Sequence, residues 1–152
     1  MKPSPRIELI DDPDSDLLES VNGELRRHNQ SANPAFWALR DEPEHEARPL
    51  NLFAFAADGE VVGGLFGSTC FSWLMVNIMA TKAEHRGTGI GRALLARAEE
   101  IARERGCRYA YVDTMEYQAP RFYAAAGYRI AGTLDDWDSH GHRKFLFVKD
   151  LV

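Results

Sequence analysis

The sequence predicts an α/β protein: a mixed, mostly antiparallel sheet of about six to seven strands, with helices on both faces and one central parallel strand pair. Three observations predict it. Short apolar or alternating segments of strand length are interleaved with helical patterns along the whole chain rather than grouped apart. An apolar strand at 73–81, a helical segment and a second strand at 107–114 follow one another, which requires a parallel crossover. A length of 152 residues, 45% of them hydrophobic, suits one domain, 1–152, with one ordinary core.

The elements follow in order. "RIELI" (6–10) alternates as a short strand, and the "DDPDSD" after it supplies Asp and Ser caps for a helix from about Asp14 to His28. Asn33 before Pro34 starts a second helix that carries Phe36, Trp37 and Leu39 and ends at the polar, proline-broken "RDEPEHEARP". "LNLFAFAADGEVVGGLFGSTCF" reads as two strands around the Asp58-Gly59 turn, and "WLMVNIMAT" as a third, apolar enough to be central. From Ile90 the positions Leu94, Ala98, Ile101 and Ala102 recur at helical spacing, with Arg92, Arg97, Glu99, Glu100 and Arg103 on the opposite face and Gly106 at the end. "CRYAYVDT" is a strand, "QAPRFYAAAG" a short helix closed by Gly127, and "YRIAGTL" and "RKFLFVKDL" the last two strands.

Composition narrows the function classes. A formal charge of −5 gives the chain no overall electrostatic footprint for nucleic acid or an anionic membrane, so small-molecule partners are expected. Cys70 and Cys107 have neither metal-ligand spacing nor a disulfide framework and read as buried thiols in a reducing compartment. No stretch approaches the ~20 apolar residues that span a bilayer, and "MKPSPRIELI" lacks a signal-type apolar region, so a cytoplasmic location is expected. The His140-x-His142 pair lacks a nearby third ligand and reads as part of a hairpin, so no metal is assigned. Asp135, Asp136 and Asp138 read as a solvated loop, although they could attract a cationic amine. Phe36, Trp37 and Trp73 read mainly as core.

"HRGTGIGRALL" (85–95) places three glycines at alternate positions ahead of a helix. A Walker loop would need a lysine and a terminal hydroxyl that this stretch lacks, and a dinucleotide fingerprint needs glycine where Arg92 or Leu94 stands. What remains is a loop of bare N–H groups opening onto a helix N-terminus, which suits an anion such as a pyrophosphate, with Arg86 and Arg92 at its rim. On the glycines alone, a tight turn with no ligand is an equal reading.

The run from Arg86 to Gly91, R-x-x-G-x-G after a central strand, resembles the acyl-CoA pyrophosphate loop of the GNAT superfamily of N-acetyltransferases. "APRFYAAAGY" (119–128) is similar to that family's second motif, and "DSHGHRKFLFVKDL" to its last hairpin. The resemblance implies the acyl-CoA N-acyltransferase fold, acetyl-CoA as cosubstrate and a primary amine of a small molecule as acceptor, acetylated by direct transfer in a ternary complex. By the same resemblance Met79, Ala80 and Thr81 would bond the pantetheine arm, and a backbone N–H near Met79 would meet the thioester carbonyl oxygen. Arg86, Gly87, Thr88, Gly89, Ile90, Gly91 and Arg92 would hold the pyrophosphate. Tyr123 matches the family's general acid, a role that suits a phenol of pKa ~10 facing a thiolate leaving group of pKa ~8.5. The family commonly dimerises, and nothing in this sequence decides it.

The sequence departs from the family pattern in two places. Asn77 and Tyr111 stand where a carboxylate often takes the amine proton, which leaves Asp113, Glu116, His140 and His142 as candidate bases. Glu116 stands where the family's asparagine often contacts the cofactor, seven residues before the tyrosine. The missing base keeps a non-catalytic acyl-CoA sensor open, and a protein N-terminal or lysine acetyltransferase is the alternative among enzymes.

Overall fold

The computed structural model describes residues 4–138 and 141–152, so His140 lies outside the described residues. Two compact units divide the chain, residues 1–42 and 43–152. The first holds α1 (Ser15–Ala32) and α2 (Pro34–Arg40). Each starts on the cap its sequence supplies: Asp14 accepts the Leu17 N–H at 2.8 Å, and Asn33 accepts that of Phe36 at 3.1 Å. α1 runs four residues beyond His28 because nothing before Asn33 breaks it. Residues 6–10 form no strand, and Ile7 and Leu9 are almost fully exposed. Alternation over five residues is a pattern, but a strand needs a neighbour to bond.

The second unit is the sheet. β1 (Arg48–Phe55), β2 (Val61–Cys70), β3 (Trp73–Thr81), β4 (Tyr109–Met115), β5 (Arg129–Leu134) and β6 (Lys144–Asp150) lie in the order β1-β2-β3-β4-β6-β5. Every pairing is antiparallel except β3 with β4 at the centre. β1 begins two residues earlier than the apolar run and includes Pro49, which an edge strand tolerates. α3 (Ile90–Glu104) and α4 (Pro120–Ala125) complete the unit.

Alternation decides which face α3 covers. Leu74 and Val76 of β3, Ala110 and Val112 of β4, Leu65 of β2 and Phe147 of β6 are buried with Leu94, Leu95, Ala98 and Ala102 of α3 in one cluster. Glu99, expected on the solvent face of α3, is instead only 5% exposed. Its carboxylate accepts from Lys149 Nζ at 2.9 and 2.7 Å and from Arg103 at 3.5 Å, the pairing that a buried charge requires. Cys107 is buried as expected, whereas Cys70 is only half-buried. Trp73 and Phe36 are each more than a third exposed, so neither is a core residue. Trp73 covers the ring of Tyr109 on the next strand, and Phe36 packs edge-on against Trp37 within its own unit.

Among the described residues the register shifts at three places, and the one between β2 and β3 bears on the site. Between β2 and β3 the register jumps from Gly67↔Val76 to Phe66↔Ile78, which leaves Asn77 as an extra residue on β3. Gly67 makes the crowding tolerable, because a Cβ there would collide with the Met75 carbonyl oxygen. Gly67→Ala is therefore expected to cost about 1–3 kcal/mol and lower the melting temperature by several degrees. Thermal denaturation checks this, and an unchanged melt would mean that the two strands separate freely at the bulge.

Candidate active site

The bulge at Asn77 coincides with a parting of strands. The parallel ladder runs from Trp73↔Tyr109 only to Val76↔Val112. Beyond it, residues 78–81 of β3 are still paired with β2, while their other edge faces an opening instead of β4. That opening widens into a cavity of about 820 Å³. Met79, Ala80 and Thr81 form one wall, and Tyr117, Gln118, Ala119 and Phe122 the opposite one. His85, Arg86, Gly87, Gly89, Ile90, Gly91 and Arg92 line the rest.

Local chemistry builds each wall. After β3 a single 3-10 turn, Ala83–His85, is closed by the His85 N–H donating to Lys82 O at 3.0 Å and that of Arg86 to Ala83 O at 3.2 Å. The Thr88 hydroxyl donates back to His85 O at 2.6 Å and ties the glycine loop to this turn. Gly87 and Gly89 have φ of +76° and +92°, left-handed values that side-chain-bearing residues adopt only under strain. Gly89 is also the N-cap of α3, so the first N–H groups of the helix, which have no partner within it, open onto the cavity. A Cβ at Gly87 or Gly89 would meet no atom within 4 Å. The space before the loop is free, and its donors and nearby guanidinium groups suit a pyrophosphate. On the far wall, Gln118 accepts the Met115 N–H at 2.8 Å and the Thr114 hydroxyl at 3.3 Å, and so fixes the link from β4 to α4.

All the residues expected at the cofactor therefore line one cavity except Thr88, whose hydroxyl is engaged within the loop. His85, Tyr117 and Gln118 were not legible as cavity residues. Tyr117 and Gln118 follow β4 and reach the cavity where the strands part, and His85 closes the turn just before the glycine loop. Tyr123 is 5% exposed, with its ring against Phe122, Tyr128 and Phe147, while Phe122 is the helix residue that lines the cavity. Burial, and after it the negative charge of Asp113, push the Tyr123 phenol above its ordinary range, so it stays protonated at neutral pH. Asp113 is the first β4 residue past the ladder, whereas Tyr123 is not among the residues that line the cavity.

The candidate bases differ in their surroundings. Glu116 is held below the usual carboxylate range by hydrogen bonds from His142 and Arg143. Its oxygens lie 2.9 Å from His142 Nδ1 and 3.2 Å from Arg143 Nε, so it points to the last hairpin and does not line the cavity. Asp113 pairs with Lys144 at 2.9 Å and accepts the Tyr111 hydroxyl at 3.3 Å. Burial followed by Asp113 raises the Tyr111 phenol, which keeps it neutral and unsuited to accept a proton. Among the described residues no three His, Cys, Asp or Glu side chains converge as metal ligands, and no helix is long and apolar enough to cross a membrane.

Comparison with known proteins agrees with this architecture. Residues 16–128 match the model of the acetyltransferase (GNAT) family. The chain is 43% identical over 131 residues to blasticidin-S acetyltransferase of Streptomyces morookaense, covering 84% of this chain and 96% of that protein. An acetyltransferase from Bacillus cereus superposes with a TM-score of 0.75 at 29% identity, covering 94% of this chain and 97% of the other. A Bacillus anthracis protein solved in complex with acetyl coenzyme A shares the fold, with a TM-score of 0.62 at 15% identity over 72% of this chain and 64% of that one. A central parallel pair that opens onto a glycine loop, a family match across most of the chain and a relative similar over nearly its full length lead to one conclusion: the chain belongs to the acetyltransferase (GNAT) family.

Proposed function

We propose that this chain is a single N-acetyltransferase domain that transfers an acetyl group from acetyl-CoA to a primary amine of a small molecule, directly and within a ternary complex, in the cytoplasm. The observation that carries this reading is the open slot between β3 and β4, floored by the N–H groups of Gly87 to Gly91 at the start of α3. Met79, Ala80 and Thr81 present to a pantetheine amide chain a strand edge that β4 does not cover, where the Thr81 carbonyl accepts from Arg86 Nε at 3.4 Å, and Arg86 and Arg92 add positive charge for the pyrophosphate. Acetyl-CoA supplies an activated acetyl thioester. A backbone N–H near Met79 would stabilise negative charge on the thioester oxygen, and Tyr123 would return a proton to the departing sulfur. The similarity to blasticidin-S acetyltransferase favours a small-molecule acceptor, and makes blasticidin S the first amine to test.

Thiol release from acetyl-CoA across a panel of amines tests the reading: blasticidin S, polyamines, aminoglycosides, amino acids and short peptides. Turnover with a small amine is the expected result. Turnover confined to peptides would make the chain a protein acetyltransferase, and tight coenzyme A binding with no turnover would make it a sensor. The phosphate assignment has its own test. Raising the salt concentration should weaken coenzyme A binding more than binding of a truncated pantetheine thioester, because only the former engages Arg86 and Arg92 through phosphate charge. Equal salt dependence in titration calorimetry would put the phosphates elsewhere.

A further inference from the structure

Past the end of the parallel ladder, a second constellation lies beside the slot. Asp113 and Lys144 occupy diagonal positions on β4 and β6, where Asp113 faces Leu146 and Met115 faces Lys144. The Lys144 ammonium lies 2.9 Å from Asp113 Oδ1 and 4.5 Å from the centre of the Trp137 ring. The other carboxylate oxygen accepts the Tyr111 hydroxyl at 3.3 Å. The backbone N–H of Trp137 donates to His142 O at 3.0 Å and closes the β5–β6 hairpin beside the lysine. A carboxylate at one side and an aromatic face at the other make a seat for an alkylammonium ion. The Asp113 side chain is 38% exposed, so a molecule in solution can reach it.

We propose that Asp113 and the Trp137 ring form the recognition site for the acceptor's ammonium group, and that Lys144 fills this seat as an internal surrogate until an acceptor displaces it. The inference rests on the acetyltransferase reading. Location supports it, because Asp113 is the first β4 residue past the point where β3 and β4 part. The surrogate also defines the ligand class: a primary ammonium on an unbranched methylene chain. Lys144 sits at the end of a flexible stem, so its head can swing into solvent without moving β6.

The probe is n-pentylammonium chloride, titrated into the protein without acetyl-CoA, so the result does not depend on acetyl transfer. Lys144→Met keeps the apolar stem and empties the seat, and should tighten binding about 3- to 5-fold, a gain on the scale of a partly exposed ion pair. Adding Asp113→Asn to Lys144→Met should then weaken binding by about tenfold or more through loss of a charged hydrogen bond. Tryptophan fluorescence should report the occupant in the wild type and not in Trp137→Phe. Coenzyme A affinity and thermal melts should be unchanged in Lys144→Met. If Lys144→Met binds the probe no more tightly than the wild type, the seat is only a cross-strand ion pair and the proposal fails. Probe binding as expected, with no thiol release from any amine, would instead sink the acetyltransferase reading and leave the cation site standing.

Discussion

Tyr123→Phe is expected to lower kcat by about 10²-fold while acetyl-CoA affinity changes little, because the substitution removes a proton donor and keeps the ring. The packing supports so clean a substitution: the ring is enclosed by Phe122, Tyr128 and Phe147, and phenylalanine fills the same space. Solvent can protonate a thiolate of modest basicity, which places the loss at the lower end of the 10²–10⁴ range usual for a general acid. The raised phenol adds a pH signature. A group whose pKa is raised keeps its proton as pH increases through its ordinary value, so any alkaline loss of kcat due to Tyr123 should fall above about 10. The measurements are kcat against pH for both proteins, on whichever amine the panel identifies, with melts as a folding control. An unchanged kcat with a lowered melting temperature would reduce Tyr123 to a packing residue.

Gly89→Val should weaken coenzyme A binding about 10- to 100-fold, an effect on the scale of losing one or two charge-assisted hydrogen bonds. Two causes act together. A β-branched residue at φ +92° is strained by roughly 1–3 kcal/mol, so the loop shifts its N–H groups, and where it does not shift, the new side chain projects into the space the phosphates would fill. The core lies elsewhere, since a Cβ at Gly89 touches nothing, so the protein should still fold. Calorimetry on a folded variant with wild-type affinity would falsify this placement of the loop.

Most of the fold was legible because the elements carry their own signals. The Asp14 and Asn33 caps, the Asp58-Gly59 turn and the 3.6-residue spacing from Ile90 are local features, and local chemistry sets them. "RIELI" shows the limit: alternation marks a side chain's preference for one face, while strand formation depends on a partner that lies elsewhere in the chain. Glu99 shows another. Its position in the helical wheel reads as solvent, and only Lys149, fifty residues on, makes its burial tolerable. The glycine loop was legible from its spacing, whereas the wall opposite it was not, because Tyr117 and Gln118 reach the cavity only through the parting of β3 and β4. Asp113, Lys144 and Trp137 come from three segments and form a site only when the hairpin closes.

The short central ladder also bears on how the sheet unit assembles and comes apart. β1, β2 and β3 are consecutive in the chain and joined by hairpins, and α3 packs on all three, while β4, β5 and β6 form a second contiguous set. Four residue pairs of parallel ladder stitch these halves together across the sheet. α3 adds a second link, since its Glu99 pairs with Lys149 of β6, and because each half draws on nearby segments their docking is expected to follow the formation of each. A ligand in the slot would touch both halves, from Met79–Thr81 and the glycine loop on one side to Tyr117–Phe122 on the other, and so would act as a removable seam. Its strongest imprint should then be on the unfolding rate: a ligand-loaded protein should resist protease for longer, in proportion to the interactions that must break before the halves separate.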